Sequence, residues 1–245
     1  MAEARRKKSR PGFADVLHRL DMRYGEQAAV GPNDPYEMIL FVNCGYPATD
    51  ASCSKGYEAL KREVGTKPAK ILAAPKAKLA KLLRLGGIVP ELRAERLKTI
   101  AKIVIEEFGG DLKWSLEKLL QEDKKGAGKG IRLAKKALME FPVIGDPGAD
   151  KILLFAGLAP VAALPWACVG VPQRILFGCE DKNYGAGYRA AQEAMAAELP
   201  ETFDARNRAY LLLKRHGVEI CKRTKPKCDV CPVSSICTYF REKRP

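Results

Sequence analysis

Four cysteines crowd one stretch near the C-terminus, Cys221-Lys-Arg-Thr-Lys-Pro-Lys-Cys228-Asp-Val-Cys231-Pro-Val-Ser-Ser-Ile-Cys237. Their spacing is C-x6-C-x2-C-x5-C within 17 residues. Thiolates this close can bind a cubane iron–sulfur cluster or a zinc ion, or they can be structural thiols. Disulfides need an oxidising compartment, and no export signal is visible. Structural zinc sites usually set two tight C-x2-4-C pairs far apart. Here one tight pair is flanked by two single cysteines. A loop wrapping one compact object with four successive thiolates suits the cluster. Lys222, Arg223, Lys225 and Lys227 would offset the negative charge of cluster and thiolates.

A second stretch joins two expected helices through Phe141-Pro142-Val143-Ile144-Gly145, with Asp146-Pro147-Gly148-Ala-Asp150-Lys151 following. A tight turn before a helix N-terminus exposes backbone N–H groups, and the helix dipole favours an anion there. A DNA phosphate fits that description, and Lys151 adds charge. A plain αα-hairpin is the alternative. The remaining cysteines, Cys44, Cys53, Cys168 and Cys179, are scattered and read as buried free thiols.

These stretches need elements to hold them. The chain has 245 residues, enough for one large or two small domains, with 47% hydrophobic residues for a sizeable core. Helical spacing predicts helices over 13–24, 36–42, 51–64, 76–85, 91–108, 114–120, 131–139, 188–198 and 203–216, with a polar, glycine-bearing loop over 180–187. Asp34 reads as an N-cap with Pro35 at the first helical position. No β-strand alternation stands out, so the class is all-α. Residues 152–172 carry no charge over 21 positions, but Pro160, Pro165 and Pro172 interrupt them, which favours a buried helix and loop over a membrane span. Lys124-Lys-Gly-Ala-Gly-Lys-Gly130 lacks the full phosphate-loop pattern and reads as a basic surface loop. The formal net charge of +14 favours a polyanionic partner, most simply nucleic acid. The run from Arg5 to Arg10 reads as a basic arm adding phosphate attraction.

The cysteine spacing, with Leu213-Lys-Arg-His-Gly217 just upstream and Cys231-Pro232 inside it, resembles the [4Fe-4S] loop of endonuclease III-type DNA glycosylases. The turn at residues 141–145 is similar to that superfamily's helix-hairpin-helix, roughly L-P-G-V-G, with Val143 in place of the first glycine. The resemblance covers about residues 30–240. It implies a helix-hairpin-helix glycosylase fold: a six-helix domain over 32–159 and a cluster domain over 160–245, with residues 1–31 packing on the latter. It also implies cluster ligation by Cys221, Cys228, Cys231 and Cys237. DNA contacts would come from Pro142, Val143, Ile144, Gly145, Gly148, Lys151, Lys222, Arg223, Lys225 and Lys227. In the family a turn after the second helix inserts a side chain into the gap left by the flipped base; here Tyr46 and Pro47 occupy that turn. The alternative is a simple helix–helix turn.

The departures from the family bear on chemistry. Bifunctional members place a Schiff-base lysine shortly after the hairpin glycine, where this chain has Pro147. Members also carry an aspartate just before a helix containing an arginine. With Arg174 as that anchor, the place falls around Cys168-Val169-Gly170, and no carboxylate occurs between Lys151 and Phe177. Candidate replacements are Asp150, Asp146 and Asp50, each with a competing role as a helix cap. Trp166, Tyr46 and Phe41 are candidates for stacking a flipped base, against ordinary core roles. With no lysine and no aspartate, the expectation is a monofunctional DNA glycosylase acting on a base that leaves easily, uracil first and alkylated purines next. A lesion-binding protein without catalysis is the rival, and a zinc-bound structural module the third. The expected partners are double-stranded and also single-stranded DNA, with no membrane; a monomer in a bacterial-type cytoplasm, associated with the nucleoid, completes the expectation.

Overall fold

The computed structural model describes residues 11–122 and 128–243. The basic run at 5–10 and the part of the lysine–glycine loop at 123–127 lie outside the described residues. The described residues form thirteen α-helices and no strand. The chain divides into two compact units, one of residues 29–159 and one made of the segment before 29 together with 160 onward.

The first helix, α1 (Phe13–Tyr24), belongs to the second of these units. The 29–159 unit holds α2 (Pro35–Asn43), α3 (Asp50–Glu63), α4 (Pro68–Ala73), α5 (Lys76–Leu83), α6 (Pro90–Phe108), α7 (Leu112–Gln121), α8 (Lys129–Met139) and α9 (Asp146–Phe155). Asp34 caps α2 by accepting from the Glu37 N–H at 3.0 Å, and Pro35 supplies a preset φ at the first position. The central helix is α6. Leu97, Ile100, Ala101 and Val104 recur at helical spacing and are buried against α2, α4, α5 and α7. It stops at Gly109, whose φ of 59° is left-handed. The short helix α4 escaped the sequence reading, because Ile71 is its only buried residue and six residues show too little period.

The other unit carries α10 (Gly170–Phe177), α11 (Tyr184–Glu198), α12 (Phe203–Glu219) and α13 (Thr238–Lys243). Its core joins Phe13, Val16 and Leu20 of α1 to Val171 and Ile175 of α10, Ala191 and Met195 of α11, and Leu212 and Leu213 of α12. The uncharged 152–172 segment is α9 followed by buried coil, with Gly157 turning the chain at φ 69° and Ala162, Ala163 and Leu164 buried beyond it. No described helix is long and apolar enough to cross a membrane. The helix expected from Tyr188 begins four residues earlier, at Tyr184. Asn183 caps it, accepting from the Ala186 N–H at 2.9 Å, and this outweighs the two glycines in the first turn.

One base-stacking candidate is corrected here. Phe41 is 3% exposed and packs edge-on against Tyr57, 5.7 Å between ring centroids. Its place on the inward face of α2 makes it core, so it cannot meet a base.

Candidate functional site: hairpin, carboxylates and cysteine pocket

In the hairpin between α8 and α9, Phe141 anchors the turn, stacked on Phe108 with centroids 5.6 Å apart. The Pro142 carbonyl accepts from the side-chain amide of Asn43, 3.1 Å, and that amide also donates to the Ile39 carbonyl, 3.0 Å. Asn43 is 1% exposed, and the sequence reading missed it because an asparagine at the end of an apolar helix looks like a cap. Val143 sits at φ 61°. A β-branched residue in the left-handed region costs on the order of 1–3 kcal/mol, which is the conformational demand that a glycine would meet freely. Gly145 precedes α9 without a side-chain cap, so the first-turn amides are left to other acceptors.

Two of the three candidate carboxylates meet in this hairpin. Lys135 of α8 lies 2.9 Å from Asp150 and 3.1 Å from Asp146. Burial pushes the lysine pKa down, but the two carboxylates outweigh it and the net displacement is upward. Asp150 is 1% exposed in the second turn of α9, so it is not a cap. Asp50 stands apart as the first residue of α3, where Thr49 does the capping through the Ser52 N–H. Lys151 is half-buried.

At the turn between α2 and α3, Pro47 is exposed and Tyr46 half-buried, joined by a cis peptide bond. Arg93, itself buried, donates to the Gly45 carbonyl at 3.1 Å and the Leu83 carbonyl at 3.4 Å, holding the turn from below.

In the other unit, all four motif cysteines line one pocket with Arg174, His216, Ile220, Tyr239 and Phe240. Among the described residues no three His, Cys, Asp or Glu side chains are gathered to hold a single metal ion. Burial raises Cys221 to about 12 and Cys231 to about 11, and pushes Cys237 up. Free thiols there stay protonated, so a ligated group must displace those protons. Arg174 opposes the trend. It is 5% exposed and donates to the Cys221 carbonyl at 2.6 Å and the Lys222 carbonyl at 2.9 Å, so its charge favours thiolate. His216 is fully buried, with Nε2 3.6 Å from the Cys231 sulfur and Nδ1 3.0 Å from the Tyr24 hydroxyl. The four-thiol donor set, apolar wall and buried guanidinium fit an iron–sulfur cluster. The basic residues of the loop, Lys222, Arg223, Lys225 and Lys227, are all exposed, so the charge beside the thiols comes from Arg174 and theirs faces solvent.

Trp166 is 51% exposed at the entry to α10, and its carbonyl accepts from the Tyr184 hydroxyl at 3.2 Å. Tyr184 is 50% exposed and stacks on Tyr188. Tyr184 is absent from the stacking candidates because the glycines at 185 and 187 hide the helix that begins there.

An all-helical chain with a tight hairpin, an exposed turn and a four-cysteine pocket defines a class. Similar solved structures include a non-covalent endonuclease III–DNA complex, 17% identical over 94% of this chain and 95% of that one, TM-score 0.70. They also include a thermostable thymine-DNA glycosylase, 22% identical with the same coverages and TM-score. The chain therefore has the helix-hairpin-helix glycosylase fold. In sequence, it is 26% identical over 173 residues to the thymine/uracil-DNA glycosylase of Methanothermobacter thermautotrophicus, covering 70% of this chain and 67% of that protein. Endonuclease III of Escherichia coli is 23% identical over 209 residues, 84% of this chain and 85% of that protein. No protein-family model matches. In sequence the chain is thus similar to DNA glycosylases and endonuclease III enzymes, and in fold to members of the helix-hairpin-helix glycosylase group.

Proposed function

We propose that this protein is a monofunctional DNA glycosylase of base excision repair, with uracil as its base. The observation that carries the reading is the hairpin itself. The residue two places after Gly145 is Pro147, which has no amine to form a Schiff base, and this favours displacement of the base by water over lysine-mediated strand cleavage. Relatives and structural neighbours bearing glycosylase names support repair chemistry on this scaffold.

The chain's own residues would act in a set order. The uncapped N-terminus of α9 offers amides to a backbone phosphate, and the exposed loop cations add charge that counterion release converts to affinity. Pro47 and Tyr46 fill the gap of the extruded nucleotide. Trp166 offers a face to the extruded base. The C1′–N bond then breaks with its electron pair on the base, and water adds at C1′. Uracil leaves as a stabilised anion and needs less transition-state assistance than a normal purine or thymine, which suits a site without the hairpin lysine. A [4Fe-4S] cluster held by Cys221, Cys228, Cys231 and Cys237 would supply structural support and redox sensitivity, with His216 and Arg174 bonding around it.

The test is base release from single-uracil duplex and single-stranded DNA. Cleavage seen only after alkali is the expected result. Strand cleavage without alkali would remove the monofunctional assignment. Failure on uracil, alkylpurine and oxidised-base duplexes alike would favour a second reading, a lesion-binding protein without catalysis. That reading is motivated by the carboxylate-free stretch from Lys151 to Phe177. Iron and acid-labile sulfide analysis of the purified brown protein tests the cluster; a colourless protein containing zinc would refute it.

A further inference from the structure

A carboxylate able to meet a sugar stands just beyond the carboxylate-free stretch. Glu180 folds back over Gly170. A Cβ on residue 170 would collide with the Glu180 carboxyl group, so the absence of a side chain at 170 is what makes room for it. Three contacts fix that placement. Arg174 Nε lies 3.5 Å from the Glu180 carboxylate while also donating to the Gly170 carbonyl at 3.3 Å. Gln173, 4% exposed, accepts from the Asp181 N–H at 2.7 Å and so pins the residue after Glu180. Gly178 ends α10 at φ 82°, and its N–H bonds the Arg174 carbonyl, reversing the chain towards 180. The Glu180 side chain stays 38% exposed. Trp166 and Tyr184, tied to each other by a hydrogen bond and each about half exposed, lie on the two segments that flank Gly170 and Glu180.

We propose that Glu180 is the catalytic carboxylate of this enzyme, resting on the glycosylase reading above. An anchored, solvent-reachable carboxylate has two uses. Its charge stabilises the oxocarbenium-like sugar as the C1′–N bond breaks and the electron pair departs on the base. It then accepts a proton from the attacking water as the C1′–O bond forms, and passes that proton to solvent. A carboxylate is a liability on a DNA-binding face, since it repels phosphate, so its anchoring by two buried side chains is informative. Arg174 keeps the Gly170, Cys221 and Lys222 carbonyls as acceptors when Glu180 is neutralised, which limits the effect of that change on folding.

The experiment compares wild type with Glu180→Gln, Glu180→Asp and Gly170→Ala, in single-turnover base release on the lesion duplex that wild type processes fastest. In parallel, each protein binds two abasic-analogue duplexes, one with a cationic pyrrolidine and one with a neutral tetrahydrofuran. Glu180→Gln is expected to slow release by about 100-fold. It should abolish the preference for the cationic analogue without weakening affinity for the neutral one. Glu180→Asp should keep that preference in part, and Gly170→Ala should behave like Glu180→Gln by evicting the carboxylate. If Glu180→Gln stays within about threefold of wild type and keeps the cationic preference, Glu180 is not catalytic while the glycosylase reading stands. If wild type releases no base from any lesion duplex, that reading fails and this assignment falls with it.

Discussion

Two carboxylate–cation pairs in this molecule are built in opposite senses. In the hairpin, Asp150 is buried and Lys135, 2.9 Å away, is 20% exposed. At α10, Arg174 is the buried member and Glu180, 3.5 Å away, is 38% exposed. Each pair joins one positive and one negative group, yet the exposures are exchanged. A buried carboxylate held by a lysine cannot reach a substrate without losing its partner, and its energetics are those of the fold. An exposed carboxylate hung on a buried arginine keeps one side open. Asp150 therefore belongs to the scaffold, while Glu180 keeps one side open to solvent.

The largest effect should come from breaking the hairpin pair. Lys135→Met leaves Asp150 buried without its lysine and should lower unfolding free energy by about 3–5 kcal/mol, measured by urea denaturation. Glu180→Gln should change stability by less than about 0.5 kcal/mol in the same measurement. Similar losses from the two variants would erase the contrast. Alkaline pH sharpens it. The folded Lys135 pKa is raised, so its stabilisation is fully present below the unfolded lysine value of about 10.4 and is lost as pH climbs through the higher folded value. The melting temperature of wild type should therefore fall above that pH more steeply than that of Lys135→Met.

A smaller effect belongs to the same hairpin. Val143→Gly relieves the left-handed valine and should stabilise the protein by about 1 kcal/mol, read as a raised urea midpoint with unchanged slope. Destabilisation would mean that the side chain's packing outweighs its backbone strain. Smallest in stability, and confined to binding, is Arg223→Gln in the exposed loop. It should weaken all duplexes about equally and reduce the slope of log affinity against log salt by about 1.

Much of this could be read from the sequence because it rests on local rules. The α2 cap at Asp34, the α6 stop at Gly109 and the period of Leu97, Ile100 and Val104 are near-neighbour facts, written in consecutive residues. The cysteine spacing works the same way, since one loop must carry four thiolates to one pocket. The site was less legible. Phe41 and Trp166 are both aromatic residues in apolar stretches, and only packing separates a core ring from an exposed one. Asn43 reaches a carbonyl 99 positions away.

The helical class, the hairpin turn, the close spacing of four cysteines and the proline at 147 were legible in the sequence, because each follows from residue type and short-range spacing. Tertiary structure alone decided which charges are free. Lys135 reaches Asp150 across two helices, and Glu180 reaches Gly170 by folding back over α10. No period or motif encodes which of two carboxylates is left facing water. That depends on which partner the packing buries, and desolvation is a property of the folded surroundings, not of the residue.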